Sequence, residues 1–507
     1  MGEMKRRALG NATALAMGAA ILAMSTGTAA VAQAPGQPGQ GTTVTSSPLN
    51  SAVMAQQQLS QPGPSVRPSS GTQDSSFKGS LVTGKATGDV LPLSLDDAIQ
   101  RGLRANLGLI LQTSSEKQAN GQRLEQLQQL LPTVTAQASI EVEQLNLAAF
   151  GLKFPGVKPI VGPFQVEDFR GYLTQRLVDL QSLQNYMAAK HNFQAAKLTA
   201  QDARDLVVLT VGNAYLLCVA DGARIKAVQA ELDSSKLSFD QATDAHEAGT
   251  SPRLDVLRAQ VDYQSEQQTL IATTNELEKD KIALARAIGL PLDQKFVLSD
   301  AAPFKALDTP DPDAAFQQAL KQRKDLAAAV ETTKGAEASR KAAFDDQLPT
   351  LKANGDFGDQ GETFGHSHST YSATGTLSAP ILQIAKTHGE IEVAQAQLDQ
   401  AKAKLSDQMQ QVNADVRDAI LDIQSAAKLV EATKSNVELA REALSEAQQR
   451  FKAGVADSLP VSQALATDRQ AEDQYISALY QHNVAKLSLA RALGVASTNY
   501  QEYLGGK

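Results

Sequence analysis

The residues able to do chemistry are few in this chain. Its 507 residues include one cysteine and six histidines. Cys218 alone cannot build a disulfide framework or a multi-thiolate metal site. Its run Leu216-Leu217-Cys218-Val219-Ala220 reads as a small buried side chain. His366 and His368 have a His-x-His spacing that can ligate a metal, but no third ligand lies near, so a solvated loop is the simpler reading. His246 stands three residues before Gly249. A cation at a helix end suits the helix dipole there, with a pH response as the sharper alternative. No nucleophile, histidine and acid are spaced as a triad, and neither a phosphate-cradling glycine loop nor an HExxH segment occurs. The chemistry predicts no enzyme, no cofactor and no metal centre.

Charge narrows the partners. With 47 Lys+Arg against 55 Asp+Glu, the net charge of −8 argues against nucleic acid, whose phosphates need clustered cations. Charged stretches such as Lys279-Asp280-Lys281 read as solvated helix faces.

The elements that must position anything begin after an export signal. Lys5, Arg6 and Arg7 precede an apolar core over 8–24, and Ala30-Val31-Ala32 fits a small-x-small cleavage site, so 1–32 is a signal peptide. Of the 60 residues 33–92, 39 are Gly, Pro, Ser, Thr or Gln, which predicts a flexible, disordered segment. Beyond it no stretch reaches the roughly 20 apolar residues of a membrane helix. The best, 206–220, is interrupted by Thr210, Gly212 and Asn213. A β-barrel stays open, because its strands carry a weaker signal.

The rest is one unit written twice. Ala248-Gly249-Thr250-Ser251-Pro252-Arg253-Leu254 answers Ala453-Gly454-Val455-Ala456-Asp457-Ser458-Leu459 at an offset of 205 residues. The same offset carries Leu284-Ala285-Arg286-Ala287-Ile288-Gly289 onto Leu489-Ala490-Arg491-Ala492-Leu493-Gly494, and Leu131-Pro132 matches Leu348-Pro349 at an offset of 217. We therefore expect a first repeat over 93–290, a linker over 291–311, a second repeat over 312–499 and a tail over 500–507. In each, a short capped helix (Ser94 with Asp97; Asp311 with Pro312) leads to a longer one. At Pro132 and Pro349 the helical period gives way to alternation. Val134, Ala136, Ala138, Ile140 and Val142 alternate with polar residues, as do Leu351, Ala353, Gly355 and Phe357, with return strands near 169–176 and 371–377. Strands of about 8–11 residues with one polar face lie between unlike environments and suit a tilted bilayer crossing. Long loops are expected over 143–168 and 358–369.

Long helices follow the strands. Residues 178–247 hold no proline, so a helix of about 105 Å is possible at 1.5 Å per residue. Gly249 ends it, and Ser251-Pro252 reads as cap and first position of the partner, which runs to Gly289. The second copy repeats this over 383–451, with Gly454 at the turn and Gly494 at the end; Ile476, Leu479, Leu487, Ala490 and Leu493 space like an antiparallel coiled coil. Four strands leave two open edges, which lipid does not tolerate. Three chains would supply 12 strands, an even number in the range of closed barrels, which predicts a homotrimer.

The chain resembles the TolC-type outer membrane factors, the exit ducts of bacterial efflux and type I secretion systems. The resemblance covers about 93–499 and rests on the duplication, the strand starts at Pro132 and Pro349, and the tip sequences 248–257 and 451–454. It implies a mainly α fold with a small β part: a trimeric 12-stranded transmembrane β-barrel continued by a periplasmic α-barrel about 100 Å long. It also implies an equatorial belt near 290–312, an outer-membrane location, and tips at 246–255 and 451–460 that meet a periplasmic adaptor and, through it, an inner-membrane pump. Gly249, Thr250, Leu254, Gly454 and Leu459 are the expected docking surface; His246, Asp255, Phe451 and Gln463 are tip and gate candidates. Asp255 matches the acidic position of the first-repeat tip. Members with acidic rings carry Asp at two second-repeat positions that read Pro460 and Gln463 here, and the position of a basic partner reads Ala456. The alternative is a periplasmic coiled-coil scaffold or adaptor without a pore. It would explain the helices and the signal, but not the alternating strands placed alike in both copies.

Overall fold

The computed structural model describes residues 75–300 and 304–504, so the expected signal peptide and most of the segment after it lie outside the described residues. The chain is mainly helical. The duplication is plain in the element lengths. Helices α1 (Leu95–Ala105) and α2 (Leu107–Gln128) have 11 and 22 residues. Their counterparts α5 (Pro312–Gln322) and α6 (Lys324–Asp345) have the same lengths. Both first helices are capped as expected: Asp97 N donates to Ser94 Oγ at 3.1 Å, and Asp313 and Ala314 donate to Asp311. Asn106 divides α1 from α2 and caps the second through Oδ1. At the matching place Arg323 instead binds Asp325 and Asp415, each at 2.6 Å.

Strands β2 (Thr133–Asn146), β3 (Ile160–Val178), β5 (Thr350–Gly361) and β6 (Ser367–Ser378) form one antiparallel sheet in the order β2-β3-β5-β6. They have 14, 19, 12 and 12 residues, longer than the alternation predicts. About half of the expected loops 143–168 and 358–369 is strand. Pro159, Gly162 and Pro163 hid the start of β3 in the sequence, but Leu145 and Asn146 still pair with Val161 and Ile160 across a register shift. The sheet interrupts each repeat between its two helical parts.

The long helices are α3 (Leu180–Glu247) and α4 (Arg253–Ile288), then α7 (Ile384–Lys452) and α8 (Leu459–Ala492), closed by α9 (Ala496–Leu504). α3 has 68 residues and α7 has 69, about 100 Å each at helical rise. Gly249, Gly289, Gly454 and Gly494 all take positive φ, the left-handed turn that side chains resist. One reading is corrected here. Pro252 itself is the cap residue of α4, without a side-chain bond, because Ser251 Oγ donates to Asp255 Oδ2 at 2.8 Å.

The main core sits where both repeats meet. Leu93, Ile99, Val207, Val211, Tyr215, Leu284, Ile288 and Leu487 pack there, all nearly inaccessible. α3 is the one helix among the described residues apolar and long enough to cross a membrane, but more than half of its apolar stretch is buried in the fold. Cys218 lies in this core, as expected. β1 (Leu91–Leu93) pairs in parallel with β4 (Phe296–Leu298) over it, and Tyr215 Oη donates to Leu93 O at 3.0 Å.

Residues 75–93 also belong to this body, although composition assigns most of them to the flexible segment. The Phe77 ring covers Gly108, where a Cβ would lie 2.6 Å from the ring, and Thr87 N donates to Gln294 at 2.7 Å. One aromatic anchor and backbone pairing suffice, and neither alters bulk composition. Lys279-Asp280-Lys281 is likewise not a simple solvated face. Asp280 Oδ2 is buried without a partner, close to the buried Asp221. Removing the Tyr215 hydroxyl would take one of two donors from Leu93 O, which keeps Ser299 N at 3.0 Å, and would take the hydroxyl acceptor from Asp300 N. Tyr215→Phe should therefore lower stability by about 1–2 kcal/mol, read as a lower thermal midpoint in detergent.

Candidate functional site

Two regions carry the chemistry of position: the sheet faces and the helical tips. Ladder register sorts the sheet residues. Val134 pairs with Leu173, Ala136 with Gly171 and Ala138 with Phe169 on one face, continued by Phe357 opposite Tyr371 and Leu351 opposite Leu377. The large side chains on this face stand free of the chain: Val134 is 74% exposed, Phe357 65% and Tyr371 81%. An apolar face of this size needs an apolar neighbour.

The opposite face is ionic. Arg170 pairs with Asp168 through Nε at 3.2 Å, with Asp356 through Nη1, and donates from Nη2 to Thr370 at 2.8 Å. Ser372 Oγ also donates to Asp356. Sequence reasoning missed this network, because its members lie 186 and 200 residues apart and only strand register unites them. The free sides of β2 and β6 form the two edges of the sheet.

At the other end of the long helices lie the two turns. Gly249 and Gly454 have φ of +74° and +69°, and the space a Cβ would fill is open at both. Thr250 Oγ1 donates to Ala245 O at 2.9 Å, closing the first turn. Leu254, Leu459 and Val455 project as exposed apolar side chains beside the glycines. The expected docking residues thus form two similar surfaces of glycine turn and leucine knob.

The gate candidates separate. His246 is exposed, with Nδ1 2.9 Å from Ser251 O, and braces its own turn. Gln463 is exposed on α8. Phe451 lines a small cavity between the hairpins with Ala242, Ala259, Ser458 and Leu465. Asp255 is buried and joins the two repeats: Ser458 Oγ donates to Oδ1 at 2.7 Å and Ser251 Oγ to Oδ2 at 2.8 Å, with Arg258 3.8 Å away. Burial alone would push the Asp255 carboxyl up, but the two serine hydroxyls outweigh it and hold the group below the usual carboxylate range. The position sought for a cation, Ala456, supplies none, and Ser458 two residues on is the partner across the repeats. Strand starts Pro132 and Pro349 precede β2 and β5 directly. His366 and His368 lie at the β5–β6 connection, and no group of His, Cys, Asp or Glu among the described residues could hold a metal ion.

With this geometry in place, likeness to known proteins is informative. The family model for the outer membrane efflux protein matches residues 114–290 and 315–495, the two repeats in turn. The chain belongs to the outer membrane efflux protein family. The chain is 23% identical over 310 residues to the pyoverdine export outer membrane protein OpmQ of Pseudomonas putida, a match covering 61% of this chain and 66% of that protein. It is 26% identical over 324 residues to the outer membrane protein OprJ of Pseudomonas aeruginosa, covering 61% and 65%. The match thus spans just under two thirds of each curated relative. The fold is similar to the outer membrane channel CmeC of Campylobacter jejuni, with a TM-score of 0.72 at 16% identity, covering 85% of this chain and 95% of that one. Membership places the protein in the outer membrane and agrees with the expectation that it is not an enzyme.

The Asp255 link has a definite pH dependence. A carboxyl held below its unfolded value contributes stability above the ordinary carboxylate range and loses it as pH falls through the depressed value. Asp255→Ala should remove about 1.5–3 kcal/mol of tip cohesion at neutral pH. The measurement is limited proteolysis at the turns 248–252 and 453–458, which should accelerate at least tenfold.

Proposed function

We propose that three copies of this chain close a shared 12-stranded barrel in the outer membrane and form a passive exit duct of a tripartite efflux or type I secretion system. The observation that carries this reading is the four-stranded sheet with an apolar face, an ionic face and two unpaired edges. In hydrocarbon each unpaired backbone group costs several kcal/mol. Pairing β2 of one copy with β6 of the next removes both edges and turns the apolar faces to outer-membrane lipid. The ionic faces, with Arg170, Asp168 and Asp356, then line water. The helices from each copy continue the wall into the periplasm as an α-barrel.

The duct needs no chemistry of its own. Its periplasmic mouth opens when hairpins of an adaptor pack into grooves between neighbouring tips, with an inner-membrane pump supplying the energy. Gly249 and Gly454 let a partner backbone approach closely, Thr250 supports the first turn, and Leu254 and Leu459 offer apolar knobs. Phe451 fills the space behind one turn, His246 braces the other, and Asp255 holds the pair closed until docking.

Detergent-purified protein should run as a heat-modifiable trimer and conduct ions in planar bilayers; a stable monomer without conductance would overturn the barrel. Gly454→Asp places a charged side chain at a turn of φ +69° on the docking surface. Efflux complementation should fall to the level of a deletion strain while trimers still assemble, and unchanged efflux would sink the docking assignment.

A further inference from the structure

The two helical hairpins meet along a seam that contains too many acids. Its buried positions include Val228, Glu231, Ser235 and Ala242 on α3, then Asp255, Ala259 and Glu266 on α4, and Ser458 at the cap of α8 with Val461, Leu465 and Asp468 on it. Their steps of three, four and seven are those of a coiled-coil seam, whose inward positions are ordinarily apolar. Glu231 lies 16 residues before the end of α3, about 24 Å along the helix from the tip.

At this level Glu231, Glu266 and Asp468 are 5%, 4% and 8% exposed. Both carboxyl oxygens of Glu231, Glu266 Oε2 and Asp468 Oδ1 are buried without a hydrogen-bond partner. The charged groups facing Glu231 are Glu266 from α4 and Asp468, Arg469 and Glu472 from α8. Behind them stand Asp262 on α4, which accepts from Ser462, and Arg441 on α7. The cations are already engaged. Arg469 Nη1 binds Glu266 Oε1 at 2.8 Å, and Arg441 binds Glu472. Five carboxyl groups thus face two guanidinium groups, and Glu231 has neither a cation nor a donor. A metal ion does not resolve this, since no group of carboxylates among the described residues is arranged to hold one.

A proton resolves it. We propose that Glu231, Glu266 and Asp468 form a proton-binding lock in the seam between the hairpins, closed while Glu231 is protonated and loosened when it ionises. A protonated Glu231 gives the cluster the donor it lacks, and an ionised one adds an unpaired charge among carboxylates. Burial, then the charge of Glu266, pushes Glu231 up to about 8; burial likewise raises Glu266 and Asp468. The sign is opposite to that of Asp255. A group raised in the folded state contributes stability that is complete below its unfolded value and is lost as pH rises through the folded one. The lock thus weakens as pH rises through about 8. Asp202 and Asp221, raised to about 6, titrate lower; Lys486, lowered to about 8, shares the window but has the opposite sign and lies 18 residues along α8 from Asp468, outside residues 461–472. The inference stands whether or not the chain forms a pore.

The test is hydrogen exchange of the full-length protein in detergent over residues 228–238 and 461–472, corrected for intrinsic exchange. Protection should fall about tenfold between pH 6.5 and pH 8 in the wild type. Glu231→Gln should remove that fall, and Glu266→Gln should move its midpoint downward, because the neighbouring charge that raises Glu231 is lost, while keeping the fall itself. Infrared spectra at pH 6.5 should show a protonated carboxyl band that is missing in Glu231→Gln. An unchanged pH response in the glutamine variant, a wild type without one, or a carboxyl band unaffected by the substitution would each overturn the lock.

Discussion

In the proposed barrel, backbone hydrogen bonding in hydrocarbon is the constraint from which the architecture follows. A strand in lipid must be paired on both sides. This chain builds four strands, alternates their faces, and leaves β2 and β6 half-paired. In the proposed trimer the edges cap one another. Each strand then continues at one end into a helix, because the strands stand side by side around a ring. Prolines before β2 and β5 end the incoming helices there. Asp179 and Arg176 secure the outgoing one: Ser182 N donates to Asp179 Oδ1 at 2.9 Å, and Arg176 pairs with its Oδ2 at 2.7 Å.

Away from the membrane, the hydrophobic effect is concentrated at one level. The dense core around Val211, Tyr215 and Leu487 fixes the helices near their middle. Towards the tips many buried side chains become small or polar, Ser235, Ala242, Ala259 and Ser458 among them, with Val461 and Leu465 between. Such a seam gains less from burial than a leucine core would. Its cohesion rests more on directional bonds, which charge and competing partners can disturb. The helical body is held firmly near the middle of α3 and α7 and lightly at its turns.

Much of this was legible in the sequence, for reasons that differ by element. The duplication could be read from Gly249 and Gly454, since only a left-handed turn fixes glycine at matched positions, and both have positive φ. The helices were legible because proline is excluded from a run of that length. The extent of β3 was not, because Gly162 and Pro163 sit within a strand that pairs on through Ile160. The packed stretch 75–93 escaped because a single residue, Phe77, anchors it near Asn106 and Gly108. At the tip, the glycines and leucines proposed for docking were visible as a local pattern. The partnership of Asp255 with Ser458 was not, because it spans 203 residues and joins helices from different repeats. The acids of the seam read as surface charge, since periodicity reveals which face a residue occupies only when that face is apolar.

The duplicated chain has a further geometric result. Its two hairpins copy one another in length and turn, but only the first carries an aspartate at Asp255, where the second has Pro460 at the same offset. In the proposed trimer, a threefold ring of such chains would look nearly sixfold from below, with two alternating kinds of cleft. One lies within a subunit and is stitched by Asp255 and Ser458; the other lies between subunits. A ring-shaped partner built from identical units would therefore find inequivalent seats around the circle, and its copies would bind in two populations of unequal strength.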